Sequence, residues 1–221
     1  MAGDCREFEI FQLANGLRVV HRQVNRPVAH CGLHIGAASR DESQGQEGLA
    51  HFIEHALFKG TTRRKPYHIL SRMEDVGGEL NAYTSKEETV LYSSFLNSYY
   101  PRAIELLFDL VFRSRFPARE CQKEKEVILD EIHSYRDNPS ESIFDDYEDQ
   151  VFQGHPLGHN ILGTAESLRQ LEPEDARQFM EAHYGWDRMV FSSVGKIDSR
   201  RLQQLLERFT EGQQFPGRSQ R

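Results

Sequence analysis

Two periodicities alternate along the chain, and the points where one gives way to the other outline its elements. Glu7 to Leu13 and Leu17 to Gln23 read as strands around Asn15-Gly16, a dipeptide suited to a tight hairpin because both positions tolerate positive φ. A further strand follows around Ala29 to Ile35. The period then lengthens, with Leu49, Phe52, Ile53, Ala56 and Leu57 at helical spacing after the turn-like Gly45-Gln46-Glu47-Gly48. Pro66 opens a second helix with Ile69, Leu70, Met73 and Val76 on one face, and Gly77 ends it. Extended segments return from Glu79 to Thr84 and from Thr89 to about Leu96. Helices are predicted over Pro101 to Phe112, Ala118 to Arg136 and about Ser142 to Phe152. The second of these carries Val127, Ile128 and Ile132 as an apolar stripe and is stopped by Asp137-Asn138-Pro139. A helix from Pro173 to near Tyr184, a strand from Arg188 to Val194 and a last helix to Phe209, capped by Asp198 or Ser199, complete the pattern.

Strands grouped at the start, middle and end, with helices clustered between them, predict an α+β layer and not an alternating doubly wound sheet. The 221 residues suffice for one domain with a real core, expected over 1–211, with 212–221 as a tail or the start of a linker. Hydrophobic residues make up 38% and charged residues 28%, and no apolar run approaches the length that crosses a bilayer, so no membrane partner is expected. The formal net charge of −7 and the lack of any basic cluster beyond Thr61-Thr62-Arg63-Arg64-Lys65 argue against nucleic acid. That short basic run reads as a solvated loop or a contact for acidic substrate. Three cysteines, Cys5, Cys31 and Cys121, without close pairing suit a reducing compartment, and the start of the chain lacks the apolar segment of a secretory leader. The expected location is therefore cytoplasmic.

Composition says little about chemistry, but His51-Phe52-Ile53-Glu54-His55 says more. On a helix His51 and His55 stand about 40° apart, so both imidazoles can reach one ion from one face. Glu54 lies beside them, where a carboxylate can take a proton from a water held by that ion without itself being a ligand. A pair of buried imidazoles held by backbone or carboxylate is the competing reading. His30, His34, His68, His133, His155 and His159 lack such spacing and read as surface or packing residues, with His155 to His159 as a loop.

The segment resembles the inverted zinc-binding motif, His-x-x-Glu-His, of the M16 (pitrilysin-like) metallopeptidases. The likeness takes in Ala38 to Glu42, Gly48 to Thr61, Gly77 to Ser85, Glu124 to Ile132, Ile161 to Thr164 and His183-Tyr184, in the family's order and across nearly the whole chain. It departs at Ala37-Ala38, where the family often has Gly-Ser. The resemblance implies one α/β-roll half of the M16 fold, with a mixed, largely antiparallel sheet packed with helices. It implies one zinc ion per chain held by His51, His55 and Glu131, with Glu54 as general base and Glu124 as a neighbouring group. By itself Glu124, in the charged run Lys123 to Glu126, reads nearly as well as a solvated carboxylate. Asn81, Ala82, Tyr83 and Thr84 would form the strand edge to which an extended peptide substrate adds by main-chain hydrogen bonds. From patterning alone that segment reads as an ordinary hairpin.

The implied activity is zinc-dependent endopeptidase cleavage. The resemblance also implies a second M16-like domain or subunit, or self-association, because the family's substrate-binding arginine and tyrosine have no counterpart in this chain. A non-catalytic assembly subunit of the same fold is the alternative.

Overall fold

The chain forms β1 (Glu9–Gln12), β2 (Arg18–Gln23), β3 (Val28–Ile35), α1 (Leu49–Leu57), α2 (Pro66–Glu74), β4 (Glu79–Thr84) and β5 (Thr89–Leu96). It continues through α3 (Tyr100–Arg113), α4 (Ala118–Arg136), α5 (Pro139–Val151), α6 (Ala165–Gln170), α7 (Pro173–His183), β6 (Met189–Gly195) and α8 (Ser199–Thr210). The structure is a computed structural model and describes residues 8–213.

The strands make one sheet in the order β1-β2-β6-β3-β5-β4, antiparallel except for the β2–β6 pair. This is the α+β class predicted from the pattern. The first hairpin turns where expected: Gly16 takes φ +98°, and Asn15 Oδ1 accepts a hydrogen bond from the Leu17 amide at 3.1 Å. Register then aligns one apolar row across five strands, since Val19 pairs with Phe191, Phe191 with Leu33, Leu33 with Leu91 and Leu91 with Ala82. The first four are fully buried. This row is the floor on which the apolar faces of α1 and α3 rest, and α3 contributes Ile104, Leu107, Phe108 and Val111 to the same core. Among the described residues no helix is long and apolar enough to cross a membrane.

Four details differ from the pattern reading. α4 stops at Arg136 as expected, but α5 starts at Pro139 and not near Ser142, because a proline at the first helical position gives up an amide that has no partner there. The short α6 carries too few residues for a periodic signal; its mark is the cap in which Thr164 Oγ1 accepts from the Ser167 amide at 3.0 Å. Val127 is 50% exposed, and the buried stripe of α4 runs instead through Cys121, Glu124, Lys125, Ile128, Leu129 and Ile132. β1 is shorter than Glu7 to Leu13, and Glu7, Cys5 and the stretch 214–221 lie outside the described residues.

The basic run after α1 is not a free patch. Arg64 reaches Glu105 at 2.7 Å and the fully buried Asp109 at 2.6 Å, and Thr61 Oγ1 donates to Asp109 at 2.8 Å. These bonds pin the loop leaving α1 to α3. Removing Asp109 takes from Arg64 one of its two carboxylates and leaves the Thr61 hydroxyl without its acceptor. Asp109→Ala is therefore expected to cost about 3 kcal/mol in urea denaturation; a cost below about 1 kcal/mol would show that the pair is not fixing the loop.

Candidate metal centre

The centre is built on α1, whose start is set by two glycines and one carboxylate. Gly48 takes φ +93° at the N-cap, and a Cβ there would lie 2.6 Å from the Leu162 carbonyl oxygen. Gly163, at φ +69°, faces it in turn, so that any side chain would run into the Glu47 carbonyl. Ser167 Oγ donates to that same carbonyl at 2.7 Å. The amides at the helix start are taken by Glu42, which accepts from Gly48 N at 3.0 Å and Ala50 N at 2.7 Å. Held this way, α1 buries Leu49, Ala50, Phe52, Ile53, Ala56 and Leu57 and packs against α4, β4 and α7.

The edge facing α4 carries the chemistry. His51 and His55 stand with ring centroids 4.7 Å apart. Glu131 Oε2 lies 3.8 Å from His51 Nε2 and 3.7 Å from His55 Nε2, and the three residues offer ligand atoms all within 4.8 Å of one another. Ligands about 2.0–2.2 Å from a tetrahedral zinc ion stand roughly 3.3–3.5 Å apart, and the two distances from Glu131 to the imidazoles are within a few tenths of an ångström of that requirement. Two imidazoles and one carboxylate leave a fourth position open, as chemistry on a bound water requires. Asp130, the neighbour of Glu131, is exposed and outside the cluster.

Glu124, seven residues before Glu131, reaches the other side of His55. Its Oε2 lies 3.2 Å from His55 Nδ1, while Lys59 Nζ donates to its Oε1 at 2.8 Å. It is a buried group and not a solvated carboxylate. Accepting from Nδ1 fixes the tautomer that leaves His55 Nε2 free as a ligand. Lys59 escaped the sequence reading, although its place one turn after His55 put it on the same helical face.

Glu54 is half-buried beside the cluster. Burial raises its carboxyl above the ordinary carboxylate range, against the Thr84 hydroxyl and His55, which lower it, and with Glu131, which raises it. Thr84 lies close without forming a hydrogen bond of good geometry, since Glu54 Oε2 and Thr84 Oγ1 are both buried without a partner. A base raised toward neutrality is better matched to proton transfer than an ordinary carboxylate. For His51, burial and then the neighbouring His55 lower the imidazole to about 4, which keeps it neutral and able to ligate.

β4 is an edge strand that pairs only with β5 among the described residues, and it lies against α1. Tyr83 is exposed on it, and Asn81 is exposed with its Oδ1 near the Ala82 amide at 2.9 Å. Asn81, Ala82, Tyr83 and Thr84 are thus on the edge strand that lies against α1. Two other histidines are engaged elsewhere, since His34 Nε2 meets Ser192 Oγ at 2.9 Å and His30 meets Ser94 at 2.8 Å, and Pro156–Gly158 is a single 3-10 turn.

Comparison with known proteins places the chain in a family. Residues 18–165, more than half of the chain, match the model of insulinase (peptidase family M16), and residues 170–220 match that of the peptidase M16 inactive domain. The chain belongs to peptidase family M16. It is 35% identical to the mitochondrial-processing peptidase subunit beta of Dictyostelium discoideum over 92% of this chain and 44% of that protein. It is 38% identical to an uncharacterized zinc protease of Bacillus subtilis over 83% of this chain and 45% of the other. Subunit 1 of the Bos taurus mitochondrial cytochrome b-c1 complex is 34% identical over 93% of this chain and 43% of its own length. A protease from Helicobacter pylori shares the fold with a TM-score of 0.90 at 21% identity, over 96% of this chain and 51% of that one. The first half of a periplasmic protease from Escherichia coli does so with a TM-score of 0.88 at 23% identity, over 97% and 48%. The chain spans less than half the length of the curated relatives it matches, and about half of each of these two solved chains.

The depressed His51 has a pH consequence. Between about 4 and the ordinary 6.5, the unfolded chain takes up a proton at this position that the folded chain refuses. The metal-free protein should therefore lose stability as pH falls through that window. His51→Asn should flatten the fall when denaturation midpoints at pH 7 and pH 5 are compared, and an unchanged slope would contradict the assignment.

Proposed function

We propose that this chain is the metal-bearing half of a zinc-dependent endopeptidase. The observation that carries the reading is the meeting of His51, His55 and Glu131 around one point, with Glu54 beside them and, on the strand packed against α1, an edge that is unpaired among the described residues. The family supports zinc in that place, and the donor set suits it. When bound, zinc lowers the pKa of a coordinated water toward about 7 and polarises a carbonyl.

The chain's own residues then have separate tasks. His51, His55 and Glu131 hold the ion, and Glu124, braced by Lys59, orients His55. Glu54 accepts the proton of the attacking water and returns one to the leaving amine. The edge of β4, through the backbone of Asn81, Ala82, Tyr83 and Thr84, pairs with an extended peptide in a manner largely indifferent to side chains. A second M16-like domain, a separate subunit or another copy of this chain closes over the substrate and supplies the oxyanion donors.

A second reading, a non-catalytic assembly subunit, draws on the likeness to a cytochrome b-c1 complex subunit. A structural role gives no reason for a half-buried carboxylate beside a convergent ligand set. Turnover separates the two readings.

Cleavage of a quenched extended peptide, with zinc and the second half or self-association that completes the enzyme, should disappear in Glu54→Gln while zinc content stays at one per chain. Turnover that survives Glu54→Gln would refute the role of Glu54. Glu124→Ala should weaken zinc binding about 10- to 100-fold in a chelator competition; unchanged affinity would return Glu124 to the status of a bystander.

A further inference from the structure

Behind the metal-facing edge of α1 lies a group of polar side chains that the proposed chemistry does not use. The β4–β5 register sets Thr84 directly opposite Thr89, so the two side chains share one face about 5 Å apart. Thr89 is fully buried and donates its proton to the Ala37 carbonyl at 3.0 Å. Tyr184, which caps α7 and is also fully buried, lies within electrostatic reach of both Thr89 and Glu54. Glu54 approaches the same pair from the Thr84 side. Three atoms here, Glu54 Oε2, Thr84 Oγ1 and Tyr184 Oη, are buried without a hydrogen-bond partner. Orphans are rare in folded proteins, and three in one neighbourhood mark a place for an internal water or a small tightening on binding.

The direction of each bond follows from the groups themselves. Thr89 has committed its proton to Ala37 and can only accept; ionised Glu54 can only accept. Thr84 and Tyr184 are left as the donors. Burial raises the Tyr184 hydroxyl further above its ordinary range, so it keeps its proton at neutral pH. We propose that Thr84 and Tyr184 are positioning residues for Glu54: their hydroxyls, directly or through one internal water, hold the buried Oε2 and leave the other oxygen to exchange the proton. The inference rests on Glu54 as the base but concerns groups that are buried without metal or substrate.

The contact is read first in the metal-free full chain labelled with 3-fluorotyrosine at its eight tyrosines, with Tyr184→Phe assigning the relevant fluorine resonance. Glu54→Gln and Thr84→Val should each move that resonance and leave that of the exposed Tyr67 in place. A Tyr184 signal indifferent to Glu54→Gln would overturn the proposal. In the completed zinc enzyme, Tyr184→Phe should lower kcat about 10-fold with KM, zinc affinity and thermal midpoint unchanged. A parallel fall in midpoint and zinc affinity would show a packing role and overturn it too. If Glu54→Gln retains turnover, the role of Glu54 as base fails and the positioning role with it, while the fluorine coupling records the contact separately.

Discussion

The burial of α1 is the constraint on which the rest of the centre depends. A helix walled in by β4, α4 and α7 has one edge left for polar groups, and His51, Glu54 and His55 all fall near it. Charges in such a place need partners, because desolvation of an unpaired carboxylate or ammonium costs more than a surface contact can return. The partners come from α4. Glu124 sits between His55 and Lys59, and Glu131 closes the open side of the histidine pair. Compensation within the buried edge and a ligand set at its rim are therefore one arrangement, and neither α1 nor α4 could shift by a turn without losing both.

The same logic explains segments far apart in the chain. Gly48 and Gly163 touch backbone to backbone, and Ser167 ties α6 to the turn before α1. Ala37, at the point where the sequence departs from the family's usual Gly-Ser, receives the Thr89 hydroxyl through its carbonyl, a bond that needs no particular side chain there. Arg64 and Asp109 fix the exit of the helix as firmly as Glu42 fixes its entry.

Much of this was legible in the sequence, for identifiable reasons. The Asn15-Gly16 turn, the amphipathic α3 and the i, i+4 histidine pair are local, and period or turn chemistry reveals them. The seven-residue spacing of Glu124 and Glu131 set both on one face of α4, yet spacing could not show that α4 packs on α1. That juxtaposition came from the family likeness alone. Patterning missed what depends on tertiary neighbours: Val127 faces outward because only one stripe of α4 meets the core, and Arg64 is held because Asp109 lies beneath it. Tyr184 looked like a motif residue without a task until β4 and β5 were aligned.

The central claim is that one metal ion is held by two imidazoles and one carboxylate with a position left for water. X-ray absorption at the zinc edge of the loaded chain tests it most directly. The expected first shell is about four light atoms near 2.0–2.1 Å, with scattering from two imidazole rings that drops to one in His55→Ala. Sulfur in the first shell, or a spectrum unchanged by His55→Ala, would place the metal elsewhere and contradict it.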